Sequence, residues 1–355
     1  MLTITTKLAC ELKPKFTDPS KLVFGQVFTD HMFTMQYTAG KGWHDAAIEP
    51  YSNFTMDPAT LVFHYGQAIF EGLKAYKSPE EKTLLFRPED NFTRMNVSGE
   101  RLCIPPLDIE TAMEGLRQLL KIEEGWIPTE PNTSLYIRPT IIATDAALGV
   151  KVSQTYLFYI ILSPVGPYYP QGFNPVPIYV EDEYVRAVRG GTGFTKAAAN
   201  YAISLYAGEI AKQRGYAQVL WLDGVNREYV EEVGSMNIFF VLGDTLMTPA
   251  LQGSILPGIT RNSVLRIAQE KGLKVEERPI AIKEVFEASD RGLLKDCFGT
   301  GTAAIISPVS ELSWNGKTIQ VNGGKTGDVA LSIYDELVGI QYGTRPDPYG
   351  WRVEL

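Results

Sequence analysis

One segment organises the interpretation of this chain, Gly190-Gly191-Thr192-Gly193-Phe194-Thr195-Lys196-Ala197-Ala198-Ala199-Asn200-Tyr201. Glycine and other small residues let the backbone approach a ligand closely, and the pattern places Lys196 at the apolar start of a predicted helix. Since most lysines are exposed, a solvated lysine in a first helical turn is the ordinary interpretation. The alternative is a lysine in an apolar pocket, where desolvation keeps the amine partly deprotonated and able to form a Schiff base with an aldehyde cofactor.

A nucleotide-binding loop is a further interpretation of the same glycine-rich segment. A phosphate-binding loop requires glycine directly before the lysine and serine or threonine after it, whereas Thr195 and Ala197 flank Lys196 here. A dinucleotide fingerprint also fails, because lysine stands where glycine or alanine is required. Nucleotide binding is therefore not expected.

Composition excludes several classes of function. The 355 residues are 45% hydrophobic and 21% charged, and the formal net charge of -8 is unlike the clustered basic surface of a nucleic-acid-binding protein. The sequence contains no apolar run of membrane-spanning length and no N-terminal signal pattern. We expect a cytoplasmic protein with no nucleic-acid partner and no membrane partner.

Cysteine and histidine do not suggest a metal centre. The three cysteines are widely separated, and the three histidines lie in the first fifth of the chain without further ligands at metal spacing. A disulfide framework, a metal site and a Ser-His-Asp triad are all unexpected. Proton transfer would then fall to another residue type, and lysine is the obvious candidate.

The periodic patterns divide the chain into two domains. Residues 1–165 mix strand patterns with helices, one of them capped by Asp108, and predict a small N-terminal α+β domain. Residues 166–189 include proline-rich and glycine-containing sequence that predicts an interdomain linker. Residues 190–355 predict a larger C-terminal domain, in which residues 256–260 open a helix.

Two neighbouring glutamates, Glu231 and Glu232, lie in a strand predicted at 227–233, between strands predicted at 217–222 and 236–242. Successive side chains of a strand point to opposite faces, so we expect one of the two carboxylates to point inward. A structural ion pair is the ordinary explanation for a buried carboxylate. The functional one is a carboxylate that keeps a pyridine nitrogen protonated, so that the ring acts as an electron sink.

A cofactor that carries a phosphate needs an anion site. Free N–H groups and the helix dipole make helix N-termini suitable, and two stretches are candidates, Ile259-Thr260 and the glycine-rich Gly301-Thr302-Ala303. Arg94 is a candidate for an added bidentate charge. Each of these signals is weak by itself, since every helix has an N-terminus.

Taken together, the motifs resemble the branched-chain amino-acid aminotransferases, which are pyridoxal 5'-phosphate enzymes of fold type IV. The resemblance extends from about Leu22 to Trp351. Its specific pieces are Phe70-Glu71-Gly72, Phe86-Arg87-Pro88, Leu135-Tyr136-Ile137-Arg138-Pro139, Lys196 with Asn200-Tyr201, Glu232-Val233-Gly234-Ser235-Met236-Asn237, Leu256-Pro257-Gly258-Ile259-Thr260-Arg261 and Gly301-Thr302-Ala303-Ala304. The resemblance implies a two-domain α+β fold of mostly antiparallel sheets flanked by helices.

The resemblance also implies roles for individual residues. Lys196 matches the Schiff-base lysine, Glu232 the partner of the pyridine nitrogen, and Tyr201 the phenol that hydrogen-bonds the cofactor's ring oxygen. The positions that match the phosphate cradle are Arg94, Ile259, Thr260 and Thr302, with Ser235 where some relatives have threonine. The positions that match the substrate pocket are Phe24, Tyr65, Phe70, Tyr136, Arg138, Leu148, Val150, Tyr168, Thr302 and Ala303, with Leu148 and Val150 in a loop contributed across a dimer interface.

The implied function is reversible transamination of L-leucine, L-isoleucine and L-valine with 2-oxoglutarate, by a ping-pong mechanism through pyridoxamine phosphate in a homodimer. Arg138 or Tyr136 is expected to contact the side-chain carboxylate of glutamate. A D-amino-acid transaminase and an aminodeoxychorismate lyase use the same lysine and glutamate and stay open as alternatives within the fold. A catalytically silent protein that holds the cofactor is the alternative of another class.

Overall fold

The computed structural model describes residues 1–16, 18, 21–166 and 173–355, and its chain divides into two compact units. Unit 1 comprises Met1–Tyr168, Thr195–Ala199 and Ile340–Leu355, and unit 2 comprises Tyr169–Phe194 and Asn200–Gly339. The division of the sequence into contiguous domains with a linker at 166–189 stays a prediction. The units differ from it because the short segment around Lys196 and the C-terminal segment belong to unit 1.

Strands and short helices alternate along the described residues. The strands are β1 (Thr5–Thr6), β2 (His31–Thr38), β3 (Gly42–Pro50), β4 (Ala68–Phe70), β5 (Leu73–Lys77), β6 (Thr83–Phe86), β7 (Ser134–Ala143), β8 (Thr155–Val165), β9 (Val176–Glu181), β10 (Gln218–Leu222), β11 (Val230–Val233), β12 (Met236–Leu242), β13 (Thr245–Thr248), β14 (Lys274–Glu277), β15 (Leu294–Gly301), β16 (Ile305–Trp314), β17 (Lys317–Gln320) and β18 (Arg352–Glu354). The α-helices are α1 (Leu61–Tyr65), α2 (Pro88–Arg101), α3 (Ile109–Ile122), α4 (Ala199–Ala202), α5 (Leu205–Gln213), α6 (Ile259–Glu270), α7 (Ile282–Asp290) and α8 (Asp328–Gln341).

The sheet of unit 1 follows the order β1-β3-β2-β8-β7-β5-β6-β18 within the described ranges, and β4 pairs with β7. Apart from the parallel pair β1 and β3, these neighbours run antiparallel. The register places Phe70 opposite Thr140 and Lys74 opposite Tyr136. Phe70 at the end of β4 therefore lies near the part of β7 that carries Tyr136 and Arg138.

Helix α3 shows how local sequence builds the core of unit 1. The carboxylate of Asp108 accepts a hydrogen bond from the N–H of Thr111 and so caps the helix, as the sequence predicts. Leu116 and Leu119 recur at helical spacing, are fully buried and join the hydrophobic cluster that contains Phe33. Burial of each such leucine contributes about 1.5–3 kcal/mol relative to an exposed one.

The sheet of unit 2 has the order β11-β10-β9-β16-β15-β12-β13-β14 in the part of the chain that the structure describes, with β17 on β16 and an added pairing of β11 with β12. The pairs β9–β10, β9–β16 and β13–β14 are parallel, and the others are antiparallel. The predicted fold class, α+β with mostly antiparallel sheets flanked by helices, is confirmed. None of the helices in the described ranges has the length and apolar character that a membrane span requires.

The strands predicted around the glutamate pair are largely confirmed, with one difference. The two outer strands are present as β10 and β12, but the predicted strand at 227–233 is shortened to β11. The carboxylate of Asp223 accepts backbone N–H groups of Asn226 and Tyr229, at 2.7 and 2.8 Å, and holds the preceding residues in a loop. A side chain that binds the backbone in this way competes with sheet pairing, which periodicity alone does not reveal.

Candidate active site

Lys196 lies in an extended segment of unit 1 and not in a helical turn. Its carbonyl oxygen accepts the N–H of Phe70 at 3.1 Å, and its own N–H donates to the hydroxyl of Ser98 at 3.0 Å. The next residue, Ala197, forms an antiparallel bridge with Ile69. The expectation that Lys196 opens a helix is wrong, because the backbone from Lys196 to Ala198 pairs with β4, and α4 begins only at Ala199.

The side chain of Lys196 contacts Phe70, and Phe70 in turn belongs to a group of neighbouring side chains. We call Phe24, Phe70, Tyr136 and Arg138 with Lys196 the lysine cluster. The Nζ of Lys196 lies 4.9 Å from the ring centroid of Phe70, and the guanidinium carbon of Arg138 lies 4.6 Å from the same centroid. The rings of Phe24 and Tyr136 meet edge to face at 4.7 Å. Both cations therefore contact one aromatic ring, at distances where cation–π attraction is effective.

Arg138 is the polar centre of the lysine cluster. One guanidinium nitrogen donates to the hydroxyl of Tyr136 at 3.1 Å, while the buried Nε has no hydrogen-bond partner among the described residues. A buried donor without an acceptor is costly, and such groups in native proteins usually meet a water, an ion or a ligand. The arrangement suits an anionic group placed against Arg138.

Gly72 leaves the space that Tyr136 occupies. A Cβ atom at this position would overlap the hydroxyl of Tyr136, so a larger residue here would displace the ring from Arg138. The Phe70-Glu71-Gly72 motif thus has a steric reason for its glycine, since only glycine allows this close approach. The same motif supplies the ring that Lys196 and Arg138 share.

Glu71 and Arg94 form a buried bidentate ion pair in unit 1. The Nε and one terminal nitrogen of Arg94 donate to the two carboxylate oxygens at 2.8 and 2.9 Å, and the amide of Asn91 donates to the second oxygen at 2.8 Å. Burial opposes ionisation of Glu71, but the charges of Arg94 and Lys196 together with these hydrogen bonds hold its pKa below the ordinary value. The carboxylate is therefore charged at neutral pH.

Glu232, on β11 of unit 2, is held by three neighbours. Its Oε2 lies 3.1 Å from the Nε of Arg186, and its Oε1 accepts the side-chain amide of Asn237 at 3.2 Å and the N–H of Leu256 at 3.0 Å. The residue is 4% exposed. An ion pair and two hydrogen bonds to the charged form favour an ionised carboxylate at this buried position.

Glu231 is buried as well, with 7% of its surface exposed. Its Oε1 accepts the hydroxyl of Ser254, and its Oε2 has no hydrogen-bond partner among the described residues. Burial raises the pKa of Glu231, and the neighbouring carboxylates of Glu232 and Asp223 add to the rise, although Ser254 and Arg186 act in the opposite direction. The expectation of an inward carboxylate therefore holds for Glu232, but Glu231 is buried as well, because both faces of β11 are covered.

The two stretches predicted to bind an anion differ in structure. Ile259 and Thr260 begin α6 behind the N-cap Gly258, which has no side chain to bind the N–H groups of the first turn. Thr302 and Ala303 instead form part of the turn between β15 and β16, and an anion site at this glycine-rich stretch stays a prediction. The two strands pair directly on either side of that turn, which leaves no room for a helix.

The sequence of this chain matches a known protein family. The model of the family described as amino-transferase class IV matches residues 68–312. The chain belongs to this family. The match includes the lysine cluster from Phe70 onward, both glutamates of β11, and the start of α6.

Individual members of the class IV family are similar along most of the chain. The branched-chain-amino-acid aminotransferase 2 of Bacillus subtilis (strain 168) is 56% identical over 353 residues, which cover 99% of this chain and 97% of the relative. The crystal structure of the Escherichia coli branched-chain amino acid aminotransferase is 28% identical, with a TM-score of 0.74, and the alignment covers 90% of this chain and 98% of that one. The T.th. branched-chain amino acid aminotransferase complexed with N-(5'-phosphopyridoxyl)-L-glutamate is 25% identical, with a TM-score of 0.72 and coverage of 90% and 97%.

Several predicted residues of this class IV protein lie outside the lysine cluster. Tyr201 lies half-buried in α4, and Ser235 is exposed in the turn between β11 and β12. The hydroxyl of Tyr65 donates to the carbonyl of Leu148. Tyr168, predicted for the substrate pocket, lies outside the described residues.

Two charged residues that sequence reasoning left without a role stand out in the structure. Glu71 pairs with Arg94, and Arg186 pairs with Glu232. Glu71 was visible in the Phe70-Glu71-Gly72 motif, where a carboxylate beside apolar residues demands a partner. Arg186 gave no such signal, since an arginine near a predicted strand is ordinary.

Proposed function

We propose that this class IV protein catalyses reversible transamination of L-leucine, L-isoleucine and L-valine with 2-oxoglutarate, with pyridoxal 5'-phosphate as its cofactor. The observation that carries the proposal is the shared ring of Phe70, which the amine of Lys196 and the guanidinium of Arg138 both contact. A reactive amine and a carboxylate-binding group are what an amino-acid substrate requires at one site. The relatives named as branched-chain-amino-acid aminotransferases support the choice of substrate class.

The residues present fit the cofactor. Lys196 would hold the aldehyde carbon, Tyr201 the ring oxygen and Glu232 the pyridine nitrogen. The residues that would hold the phosphate are Arg94, Ser235, Ile259, Thr260 and Thr302. The fit rests on the buried carboxylate of Glu232, which the Nε of Arg186 contacts, and on the position of Ile259 and Thr260 in the first turn of α6. When bound, the pyridine ring withdraws electrons from the substrate Cα.

Lys196 provides the proton transfer in this mechanism. Its Nζ would take the proton that leaves the substrate Cα and pass it to the cofactor carbon that had carried the aldehyde. The backbone bonds of Lys196 to Phe70 and Ser98 fix the base of the side chain, so that the amine has a limited range of positions. A positioned base of this kind contributes about 10²–10⁴-fold in rate.

Glu232 would accept a hydrogen bond from the protonated pyridine nitrogen of the bound cofactor and offset its charge. Arg186 on one side, with Asn237 and Leu256 on the other, orients the carboxylate and keeps it ionised.

Substrate recognition divides between apolar and charged groups. The rings of Phe24, Phe70 and Tyr136 suit a branched aliphatic side chain. Arg138 would bind the side-chain carboxylate when glutamate is the substrate, because its buried Nε lacks an acceptor among the described residues. Apolar and acidic side chains can thus use the same pocket in the two half-reactions.

A homodimer belongs to the proposal. Leu148 and Val150 are 69% and 83% exposed in a loop that Tyr65 binds through its hydroxyl. Apolar side chains exposed to this degree on one loop suit an interface with a second copy, where they would border the substrate pocket. The cytoplasmic location expected from the composition is proposed with it.

The test is the visible absorption spectrum of the purified protein before and after addition of L-leucine, followed by borohydride reduction and peptide mapping. We expect a band that shifts with L-leucine and a reduced adduct on Lys196. Lys196→Ala should abolish turnover, while Lys41→Ala, which alters an exposed lysine, should leave it unchanged. Absence of a visible band after addition of pyridoxal phosphate would refute the proposed cofactor. Faster turnover of D-alanine than of L-leucine would refute the proposed substrate class.

A further inference from the structure

Phe24 reaches the lysine cluster from the stretch that precedes β2; we call residues 21–30 the Phe24 segment. The ring of Phe24 meets that of Tyr136 edge to face at 4.7 Å, and the hydroxyl of Tyr136 accepts a hydrogen bond from Arg138. Backbone outside strands and α-helices is generally more mobile than the elements it connects. The position of Phe24 in the lysine cluster therefore depends on the contacts that hold its segment.

Lys13 supplies one such contact from the preceding part of the chain; we call residues 7–16 the N-terminal arm. The Nζ of Lys13 donates to the carbonyl oxygens of Phe28 and Thr29, at 3.2 and 2.7 Å. It also lies 4.4 Å from the ring centroid of Tyr51. Two successive carbonyl oxygens and an aromatic face are groups that an ammonium ion binds well, so the amine links the arm to the Phe24 segment.

The N-terminal arm is itself anchored to unit 1. The N–H of Ala9 donates to the Nε2 of His31 at 2.9 Å, and the ring of Phe16 lies 6.3 Å from that of Trp126. These contacts lie before and after Lys13 in the chain. Lys13 therefore extends from a backbone that is held on both sides, which a supporting residue requires.

Asp30 makes a second link at the end of the Phe24 segment. It is 5% exposed, and both of its carboxylate oxygens accept hydrogen bonds. The Oδ1 accepts the N–H of Lys13 at 2.7 Å, and the Oδ2 accepts the indole N–H of the buried Trp126 at 2.8 Å. Hydrogen bonds to an ionised acceptor are stronger than those between neutral groups, so Asp30 joins the arm and the segment to the core of unit 1.

We propose that Lys13 and Asp30 are positioning residues, which hold Phe24 against Tyr136 and so set the affinity for branched-chain substrates. Lys13 binds the carbonyl groups of the fourth and fifth residues after Phe24, and Asp30 fixes the next residue. Both act through the Phe24 segment. The affinity part of the inference rests on the proposed function, whereas the placement of the segment can be measured without turnover.

Steady-state kinetics of Lys13→Met tests the effect on affinity. The variant removes the ammonium group and keeps an unbranched side chain. We expect KM for L-leucine to rise about fivefold to tenfold, while kcat stays within about twofold, because a contact that aids substrate binding is lost. Lys15→Met, which alters another exposed lysine of the N-terminal arm, should leave both constants unchanged.

A double-mutant cycle with Phe24→Ala shows whether Lys13 acts through the ring. Phe24→Ala alone should raise KM for L-leucine at least as much as Lys13→Met does. In the double variant, Lys13→Met should add less than about twofold, because both changes remove the same contact. Effects on KM that multiply in the double variant would overturn the proposal.

Hydrogen exchange of the holoenzyme, followed by mass spectrometry, measures the placement of the Phe24 segment. Lys13→Met should speed exchange in peptides that cover residues 21–30 by about threefold or more, and leave peptides from β7 unchanged. Asp30→Asn should have the same effects on exchange and on KM, because an amide at this position turns its NH₂ group toward one of two N–H donors.

Unchanged exchange in both variants, or a fall in kcat with an unchanged KM, would overturn the proposal. If the unaltered chain did not turn over L-leucine, the proposed function would be refuted. The exchange measurement would still decide whether Lys13 and Asp30 hold the Phe24 segment.

Discussion

Two buried glutamate–arginine pairs, one in each unit, differ in how completely they are satisfied. In unit 1 the pair of Glu71 and Arg94 is bidentate, and Asn91 adds a further donor. In unit 2 the Nε of Arg186 approaches a single oxygen of Glu232, with a second carboxylate, Glu231, directly before it in the chain. The first arginine faces one carboxylate and the second faces two.

The two units therefore differ in the electrostatic surroundings of their buried glutamates. Neutralisation by Arg94 holds the pKa of Glu71 below its ordinary value despite burial, whereas burial raises the pKa of Glu231. In unit 1 both carboxylate oxygens of Glu71 accept hydrogen bonds, so we call this pair closed, and the bidentate contact orients Arg94. In unit 2, Glu232 meets Arg186, Asn237 and the N–H of Leu256, whereas the hydroxyl of Ser254 donates to the carboxylate of Glu231.

The largest effect on stability is expected at the closed pair. Glu71→Gln leaves the buried guanidinium of Arg94 without its counter-charge, so the free energy of unfolding should fall by about 3–5 kcal/mol. Urea denaturation measures the change, and Glu80→Gln, an exposed glutamate on the following turn, serves as the control. A loss below about 1 kcal/mol, typical of surface pairs, would show that the pair is not closed.

A smaller loss of stability but a large loss of rate is expected at Glu232. Glu232→Gln keeps the size of the side chain, and Arg186 keeps its hydrogen bonds to the carbonyl oxygens of Gly193 and Ser254. We expect kcat for L-leucine to fall about 100-fold, because an electrostatic contact to the reacting system is lost. Steady-state kinetics with saturating cofactor measures it, and a rate equal to that of the unaltered chain would remove the role of Glu232 as partner of the ring nitrogen.

Lys74 extends the comparison to a buried cation on β5. Burial lowers its pKa to about 8, so its charged form is penalised in the folded state. The penalty is fully present below that pKa and disappears as pH rises toward the unfolded value near 10.4. Lys74→Met should therefore raise the free energy of unfolding by about 1–2 kcal/mol near pH 7, and the gain should shrink near pH 10.

Denaturation of the Lys74→Met variant at the two pH values checks this, with Lys41→Met as an exposed control. If the free energy of unfolding rose by the same amount at both pH values, the stabilisation would come from packing and not from removal of a buried charge.

The smallest change in the free energy of unfolding is expected for Glu231→Gln. This variant should be more stable, whereas Glu71→Gln should be less stable. Because the folded pKa of Glu231 is raised, its ionisation costs stability above that pKa and costs nothing below the unfolded value near 4.3. Glu231→Gln should raise the free energy of unfolding by up to about 1 kcal/mol near pH 8 and leave it unchanged near pH 4.

The pKa of Glu71 is lowered in the folded state, so ionisation of Glu71 stabilises the fold, whereas ionisation of Glu231 destabilises it. Its stabilisation is present above the unfolded pKa and is lost as pH falls through the folded one. Unfolding curves for the glutamine variants of Glu71 and Glu231 from acid to neutral pH should therefore diverge in opposite directions. Curves that shift in the same direction would break the comparison between the two pairs.

Local sequence determined much of this protein. Helix α3 with its Asp108 cap and the core strands β10 and β12 follow from periodicity and capping, which act over a few residues. The motif around Lys196 and the ordered series of further motifs indicated the family, and the family match confirms it. These signals are local or are read in order along the chain, so no knowledge of long-range contacts was needed.

The tertiary structure alone decided which side chains meet. Phe70, Arg138 and Lys196 are far apart in the chain, and only the pairing of β4 with β7 and of Ile69 with Ala197 brings them to one ring. The pairing of Ile69 with Ala197 also explains why Lys196 is extended and not in the helix that the sequence had predicted. Periodicity assigns a residue to a face of its strand but does not name what covers that face, so the burial of both Glu231 and Glu232 depended on long-range packing.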